Sequence, residues 1–565
     1  MSRRPGLAGA VALIAAGAVS AIVFASSEPF RAAHGMVVSQ DAIASQAGVA
    51  ILKAGGNAVD AAVATAFALA VVHPSAGNIG GGGFIVYRPH EGEPVAYDFR
   101  ERAPAAASPT MFLTDGKYDA AKHHDSYLSV GVPGTVAGLH LAWREHGKLP
   151  WTRLVAPAIA LARDGFTISE SLAASLARGL PAMKRYPASL AQFSKHGTPY
   201  AAGDRLVQPD LARTLARVAV RGPAGFYEGE TARFIEQEMA AHGGLITRAD
   251  LRSYKAERRA PVRGTYRGYE ILSMPPVSSG GTALVEMLNV LEGYDLAASE
   301  WGSARNTHLM IETMRRAYAD RARYLGDPAF NPSMPVARLI SKEYAGSLRA
   351  TISPDRASAS SPSSFEWPAE SSETTTLSVV DAGRNAVSLT YTLEAGYGSK
   401  IVVAGAGFLL NNEMGDFNAG PGLTGQDGLI GTEPNLAAPG KRMLSSMAPT
   451  IVAKDGRLVM VTGALGGRTI INTVLHTILN VVDFGMNAQE AVDAARFHHQ
   501  WLPDVVEFER YGLSPDTLVI LKEKGHRFSP LGVLSIAEVV VVTPKDGKLA
   551  AGTDRRSVDG GAAGY

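Results

Sequence analysis

"TTTLSVVDAGRNAVSLTYTL", residues 374–393, consists of two strand-like runs, Thr374–Asp381 and Ala386–Leu393, joined by a short turn that contains Gly383 and Asn385. Threonine, valine and tyrosine favour a pleated, half-buried backbone, and glycine with asparagine closes a hairpin. The hairpin starts abruptly. Just before it, Asp355–Glu373, "DRASASSPSSFEWPAESSE", is dominated by serine and proline and has no apolar periodicity, so a linker or loop is expected there. The threonine run therefore either simply begins a strand or holds a reactive residue at a junction.

From about Gly35 to Val220 the pattern is mainly helical, broken by glycine loops. "SQAGVAILKAGGNAVDAAVATAFALAVV" has helical spacing broken at Gly55-Gly56, where one helix ends and another begins. "GNIGGGGFIVYRP" reads as a glycine loop entering a buried strand, and "EPVAYDFRERAP" as a second strand ending in charge. "PVRGTYRGYEIL" alternates like a strand pair, and "MPPVSSGGTALVEMLNVL" reads as a turn and an N-capped helix. After the hairpin, "APTIVAKDGRLVMVTGA" gives more strand, followed by helices near Arg468–Phe484 and Ala488–Arg496. Sheet, helix and sheet again imply a layered α+β fold, and no internal repeat is seen.

Bulk properties narrow the function. The 565 residues are 46% hydrophobic, enough for a large core. A net charge of +1 makes nucleic acid an unsuitable partner. With no cysteine there is no disulfide, thiolate metal site or cysteine nucleophile. At the start, Arg3-Arg4 precede "PGLAGAVALIAAGAVSAIVFA", the basic-apolar-small order of a secretory leader over residues 1–25. A periplasmic or secreted protein is expected, with a membrane anchor only if that leader is retained.

Several candidate chemistries can be weighed. Gly80–Gly83 lacks the Gly-Lys-Ser/Thr of a phosphate loop and runs into "FIVY", so close backbone packing fits it better. His123-His124 and His498-His499 are adjacent pairs, which on a strand point to opposite faces, so no metal site is expected. No Gly-x-Ser-x-Gly elbow stands at a strand-to-helix turn. Threonine remains. A backbone cut before Thr374 would free an α-amine, with a pKa near ~8, as the general base for its own hydroxyl.

From about Gly35 to Tyr565 the chain resembles the γ-glutamyltransferases, self-cleaving members of the N-terminal-nucleophile hydrolases. The resemblance is carried by "LKAGGNAVDAAVA", "GNIGGGGF", "DFRERAP", "VGVPGTVAGL", "PPVSSGG", "TTTLSVVD", "LTYTLEAGYGS", "LLNNEMGDF", "KRMLSSMAPTIV", "GALGGRTI", "ARFHHQWLPD" and "TDRRSVDGGAAGY", in that order. It implies a four-layer αββα sandwich, cleavage at Glu373-Thr374, a large subunit of residues 26–373 and a small one of 374–565, paired as a heterodimer. Thr374 would be the nucleophile and Thr392 its supporting threonine. Gly466 and Gly467 would donate N–H groups to the oxyanion. Arg100, Ser445 and Ser446 would hold the α-carboxylate of a γ-glutamyl group, while Glu394, Glu413 and Asp416 receive its ammonium. The implied activity is cleavage of γ-glutamyl amides such as glutathione through a threonine ester, with transfer to water, amino acids or peptides, and with no cofactor.

Two positions depart from the commoner family pattern. Glu394 stands where many members have asparagine and Glu413 where some have glutamine, which adds negative charge. Three carboxylates exceed what one ammonium neutralises, so one is expected to be protonated or paired, with Arg102 or Lys400 as partners. Asp427 falls near the position where some bacterial members carry an aromatic lid residue. The rival readings are a glutaryl or cephalosporin amide acylase of the same superfamily and an uncleaved, non-enzymatic binding relative. Glutaryl lacks an α-ammonium, so an acidic pocket favours the amino-bearing substrate.

Overall fold

The computed structural model describes residues 27–361, 374–423 and 431–565. Two seven-stranded sheets, each with every neighbouring pair antiparallel, form its centre. In the first, the spatial order is Gly561–Gly564, Met36–Ser39, Thr375–Val380, Ala386–Thr392, Gly82–Arg88, Val95–Asp98 and Glu257–Arg259. In the second it is Phe30–Ala32, Leu549–Thr553, Ile536–Val542, Arg457–Leu465, Thr450–Lys454, Tyr269–Ser273 and Val262–Tyr266. The threonine hairpin is thus central in the first sheet, not at an edge.

Alternation along the hairpin assigns its two faces. Leu377, Val379, Val387, Leu389 and Tyr391 join the core built on the helices Ala42–Lys53 and Ala58–Val72. Val380 and Ala386, on the other face, join the core of the second sheet and its helices Gly280–Leu291, Ala304–Tyr324 and Thr469–Val482. The layers are therefore helix, sheet, sheet and helix, the αββα arrangement expected from the sequence. The face between the sheets is partly polar: Ser388 Oγ donates to Thr462 O of the second sheet at 2.8 Å, and within the first sheet Thr376 Oγ1 lies 3.1 Å from Thr390 Oγ1. Gly463 permits this approach, since a Cβ there would come within 2.2 Å of Thr376 Oγ1.

Local chemistry fixes the hairpin's outer end. Asp381 accepts hydrogen bonds from Asn385 N (3.0 Å), Asn385 Nδ2 (2.8 Å) and Ala58 N (3.0 Å), which ties the turn to the start of the helix that Asn57 caps. The break at Gly55-Gly56 falls between the two helices, as expected. The Gly80–Gly83 loop packs closely: a Cβ at Gly81 would lie 2.0 Å from Thr392 O.

Three expectations need correction. Ser279 precedes the helix Gly280–Leu291 but makes no side-chain cap; its hydroxyl donates to Ser445 O at 2.6 Å instead. His123 and His124 end a short helix, Ala120–His124, with ring centroids 4.4 Å apart, so the opposite-face argument does not hold for them. Residues 355–361 have no regular structure but are held by several hydrogen bonds; the remainder of that segment, with Glu373, lies outside the described residues, as does the leader. Among the described residues no helix is long and apolar enough to cross a membrane. Gly463→Val is expected to lower the unfolding midpoint, the overpacking costing about 1–3 kcal/mol; thermal or denaturant unfolding measures it.

Candidate active site

Thr375 pairs with Tyr391 and Thr376 with Thr390, and the same register puts Thr374 opposite Thr392. Both threonines sit on the inter-sheet face, only 4% and 3% exposed. They line one pocket with Arg100, Glu394, Glu413, Asp416, Ser445, Ser446, Met447, Gly467 and Ile470. Residues scattered over most of the chain thus converge where the sequence analysis placed a single site. Gly466 borders an adjacent cavity, and Glu373 and Asp427 lie outside the described residues.

Each wall has a local cause. Arg100 follows the strand Val95–Asp98, and its N–H donates to Asp98 Oδ1 at 3.0 Å. Glu394 follows Thr392, whose Oγ1 accepts from Glu394 N at 2.8 Å. Glu413 and Asp416 share a single turn of 3-10 helix. Its start is fixed by buried Asn411, which accepts from Glu413 N (3.0 Å) and donates to Gly80 O and Gly131 O (both 2.8 Å). Ser445 O accepts from Ser279 N at 2.8 Å, and Ser446 Oγ accepts from Arg321 Nη2 at 2.8 Å. Gly466 and Gly467 end the strand Arg457–Leu465 with φ of 128° and 58°, values that favour glycine. Neither N–H donates to a backbone carbonyl among the described residues. The helix Thr469–Val482 begins beside them, adding the positive end of its dipole.

The charges are arranged differently from the expectation. Arg100 is fully buried and is ion-paired with both Glu413 and Asp416, with Glu101 3.6 Å away. The guanidinium expected to hold a ligand carboxylate thus already holds the acids expected to receive a ligand ammonium. Glu394 is bonded by Asn412 Nδ2 and lies 3.5 Å from His124 Nδ1. His124, not Arg102 or Lys400, is the cation beside it: Arg102 donates to Gly440 O (2.7 Å) and Lys400 to Gly398 O (2.8 Å).

Four carboxyls thus share two cations in a buried site, which disfavours full ionisation. Burial pushes the Glu413 carboxyl well up, and Arg100 offsets this only in part against Glu101, Asp416 and Glu394. Burial also raises Glu101, against a smaller opposing effect of Arg100. His124 moves the other way from a typical buried histidine. Burial lowers its pKa, but Glu394 and Asp416 outweigh that and raise it above the ordinary value. Burial thus favours the protonated form of Glu413 and Glu101, and the neighbouring carboxyls favour the charged form of His124.

The sequence analysis missed Glu101, His124, Asn411, Asn412 and Arg321. Glu101 and the two asparagines stand inside motifs already quoted, "DFRERAP" and "LLNNEMGDF". His124 stood out only as half of the His123-His124 pair, weighed as a metal site, and Arg321 left no signal, because helices remote in sequence deliver them.

A threonine at the head of an inner-sheet strand, in an αββα sandwich and facing a charged pocket with an oxyanion-ready backbone, defines the N-terminal-nucleophile hydrolase type. Within that class, the model of the family described as Gamma-glutamyltranspeptidase matches residues 44–565, and the chain belongs to this family. It is 49% identical over 542 residues to the glutathione hydrolase proenzyme of Escherichia coli K12, covering 95% of this chain and 93% of that one. A cephalosporin acylase from Bacillus halodurans superposes with a TM-score of 0.84 at 28% identity, covering 97% and 98% of the two chains. A Helicobacter pylori gamma-glutamyltranspeptidase chain gives 0.55 at 48% identity, covering 56% of this chain and 91% of its own.

Because the folded pKa of His124 is raised, its stabilising effect is complete below the unfolded value of about 6.5 and is lost as pH rises through the folded value. His124→Gln should therefore be less stable than the native protein at pH 6 and approach it at alkaline pH. Unfolding midpoints across pH measure this.

Proposed function

We propose that this chain is a self-processing γ-glutamyltransferase and hydrolase, with Thr374 as nucleophile. One observation carries the reading: Thr374 faces a pocket that combines a guanidinium with a surplus of carboxyl groups. In processing, Thr374 Oγ adds to the Glu373 carbonyl carbon and its proton passes to the departing nitrogen. The C–N bond breaks, leaving an ester and a free α-amine. Water then cleaves the ester, giving a Glu373 carboxylate and the Thr374 hydroxyl. The products are the subunits 26–373 and 374–565, held together by the shared first sheet.

The freed amine then takes the Thr374 hydroxyl proton as Oγ attacks the γ-carbonyl of a donor such as glutathione, and returns it to the donor's amide nitrogen as the C–N bond breaks, so that the amine departs and a γ-glutamyl ester remains on Thr374. Gly466 and Gly467 N–H groups meet the oxyanion, where one such donor is typically worth about 2.7–4 kcal/mol. Thr392 orients the nucleophile. The donor's α-carboxylate takes Arg100 and the hydroxyls of Ser445 and Ser446, displacing carboxyls from Arg100. Glu394, Glu413 and Asp416 turn to its ammonium. That exchange keeps the buried charges paired at each stage. The acyl group passes to water, or to the amine of an amino acid or peptide. The leader at residues 1–25 fits delivery to the periplasm or outside the cell.

An amide acylase acting on glutaryl groups is the second reading, favoured by the superposition on the cephalosporin acylase. The acidic pocket weighs against it, since a glutaryl group brings no ammonium to pair with these carboxyls. Turnover of γ-glutamyl and glutaryl anilides separates the two, and we expect γ-glutamyl to be preferred at least tenfold; a preference for glutaryl overturns the proposal. On denaturing gels the native protein should show two fragments, the smaller starting at Thr374. Thr374→Ala should remain one inactive chain, and cleavage of that variant at residue 373 would refute the assignment.

A further inference from the structure

The motif "FHHQWLPD", residues 497–504, has no part in the pocket. Its Asp504 is instead half of a clamp on the chain upstream of the junction. Ser360 N donates to Asp504 Oδ2 at 3.0 Å, and His499 Nε2 lies 3.1 Å from Asp504 Oδ1. Arg315, on the helix Ala304–Tyr324 and nearly fully buried, bonds both Asp504 and the Ser360 hydroxyl. The other half is Glu312, one turn earlier on that helix. It accepts from Ser358 N (3.0 Å) and Ser358 Oγ (2.5 Å) and pairs with Arg315 (3.3 Å) and Arg316 (2.8 Å). Burial would raise the Glu312 carboxyl, but Ser358 and the two guanidiniums hold it down at about 2.

Further bonds extend the grip backwards. Arg316 donates to Thr351 O (2.9 Å), His308 Nε2 lies 2.7 Å from Ser353 O, and Lys524 Nζ donates to Pro354 O (2.8 Å). Ala357 N also donates to Lys524 O at 2.7 Å. A serine-rich stretch with no regular structure thus has its polar groups matched to buried charges from both sides of the cleavage junction. A mere surface linker needs no buried, charge-balanced receptor.

We infer that Glu312, Arg315 and Asp504 are positioning residues for self-cleavage, fixing Ser358 and Ser360 upstream of the junction. The inference rests on the proposed function. Thirteen residues, 361–373, separate the clamp from Thr374. Without it the nearest upstream tether is Ala357 N to Lys524 O, so the span to Thr374 grows to 16 residues (358–373). That lengthening changes the closure probability by less than about twofold. A larger slowing must come from lost orientation of the peptide that Thr374 attacks.

The test follows freshly purified full-length chain to its two fragments on denaturing gels. Ser358→Ala/Ser360→Pro removes both hydroxyls and the Ser360 N–H. It should cleave ten times more slowly or worse, whereas Ser358→Thr/Ser360→Thr should cleave within about threefold of native. Once cleaved, both should match the native kcat on a γ-glutamyl anilide. Cleavage of the Ala/Pro variant within threefold of native overturns the clamp, as does a kcat loss parallel to the slowing. A native chain that never cleaves overturns the proposed function itself.

Discussion

The pairing of the hairpin's polar face with a second sheet is the constraint on which the rest depends. Thr374, Thr376, Thr390 and Thr392 lie on one face of two antiparallel strands, and that face is covered by the strand containing Gly463. A side chain on Gly463 would hold the sheets apart. With hydrogen there, the strand runs on to Leu465, and the turn that follows it brings Gly467 to the pocket that Thr374 lines. Thr374 and Gly467 are thus brought to one pocket by sheet packing and by the turn that ends a strand, and groups held by rigid elements are placed more accurately than groups on loops.

Electrostatics then sets what the pocket accepts. Arg100 reaches the site fully buried and is neutralised internally by Glu413 and Asp416. A buried guanidinium without such partners would be very costly. On the proposed function, these are ion pairs that a zwitterionic ligand would exchange group for group. A ligand with a carboxylate alone would release acids from Arg100 and leave them unpaired. The distinction between γ-glutamyl and glutaryl groups follows from that balance.

Much of this was legible in the sequence because it is local. The hairpin, the Gly55-Gly56 break and the strand after Gly83 follow from residue type and spacing. The family motifs located nearly every residue that lines the pocket. What escaped depends on the partners chosen in three dimensions. Ser279 looks like a helix cap, yet its hydroxyl is drawn to Ser445 O, and Arg321 supports Ser446 from a helix more than a hundred residues upstream. The pairing of Arg100 with its expected co-ligands, and the role of His124 beside Glu394, arise from burial, which sequence spacing does not encode. The serine-rich stretch read as loose because its order comes from buried charges elsewhere, not from apolar periodicity.

The central claim is that Thr374 Oγ carries the acyl group. Reacting the purified protein with an electrophilic γ-glutamyl analogue and mapping the adduct by peptide mass spectrometry tests it most directly. The account predicts one adduct, on the peptide whose first residue is Thr374, and protection by excess γ-glutamyl substrate. An adduct on Thr375, Thr376, Thr392 or Ser445, or labelling equally strong in a chain that still has residue 373 attached, would contradict it.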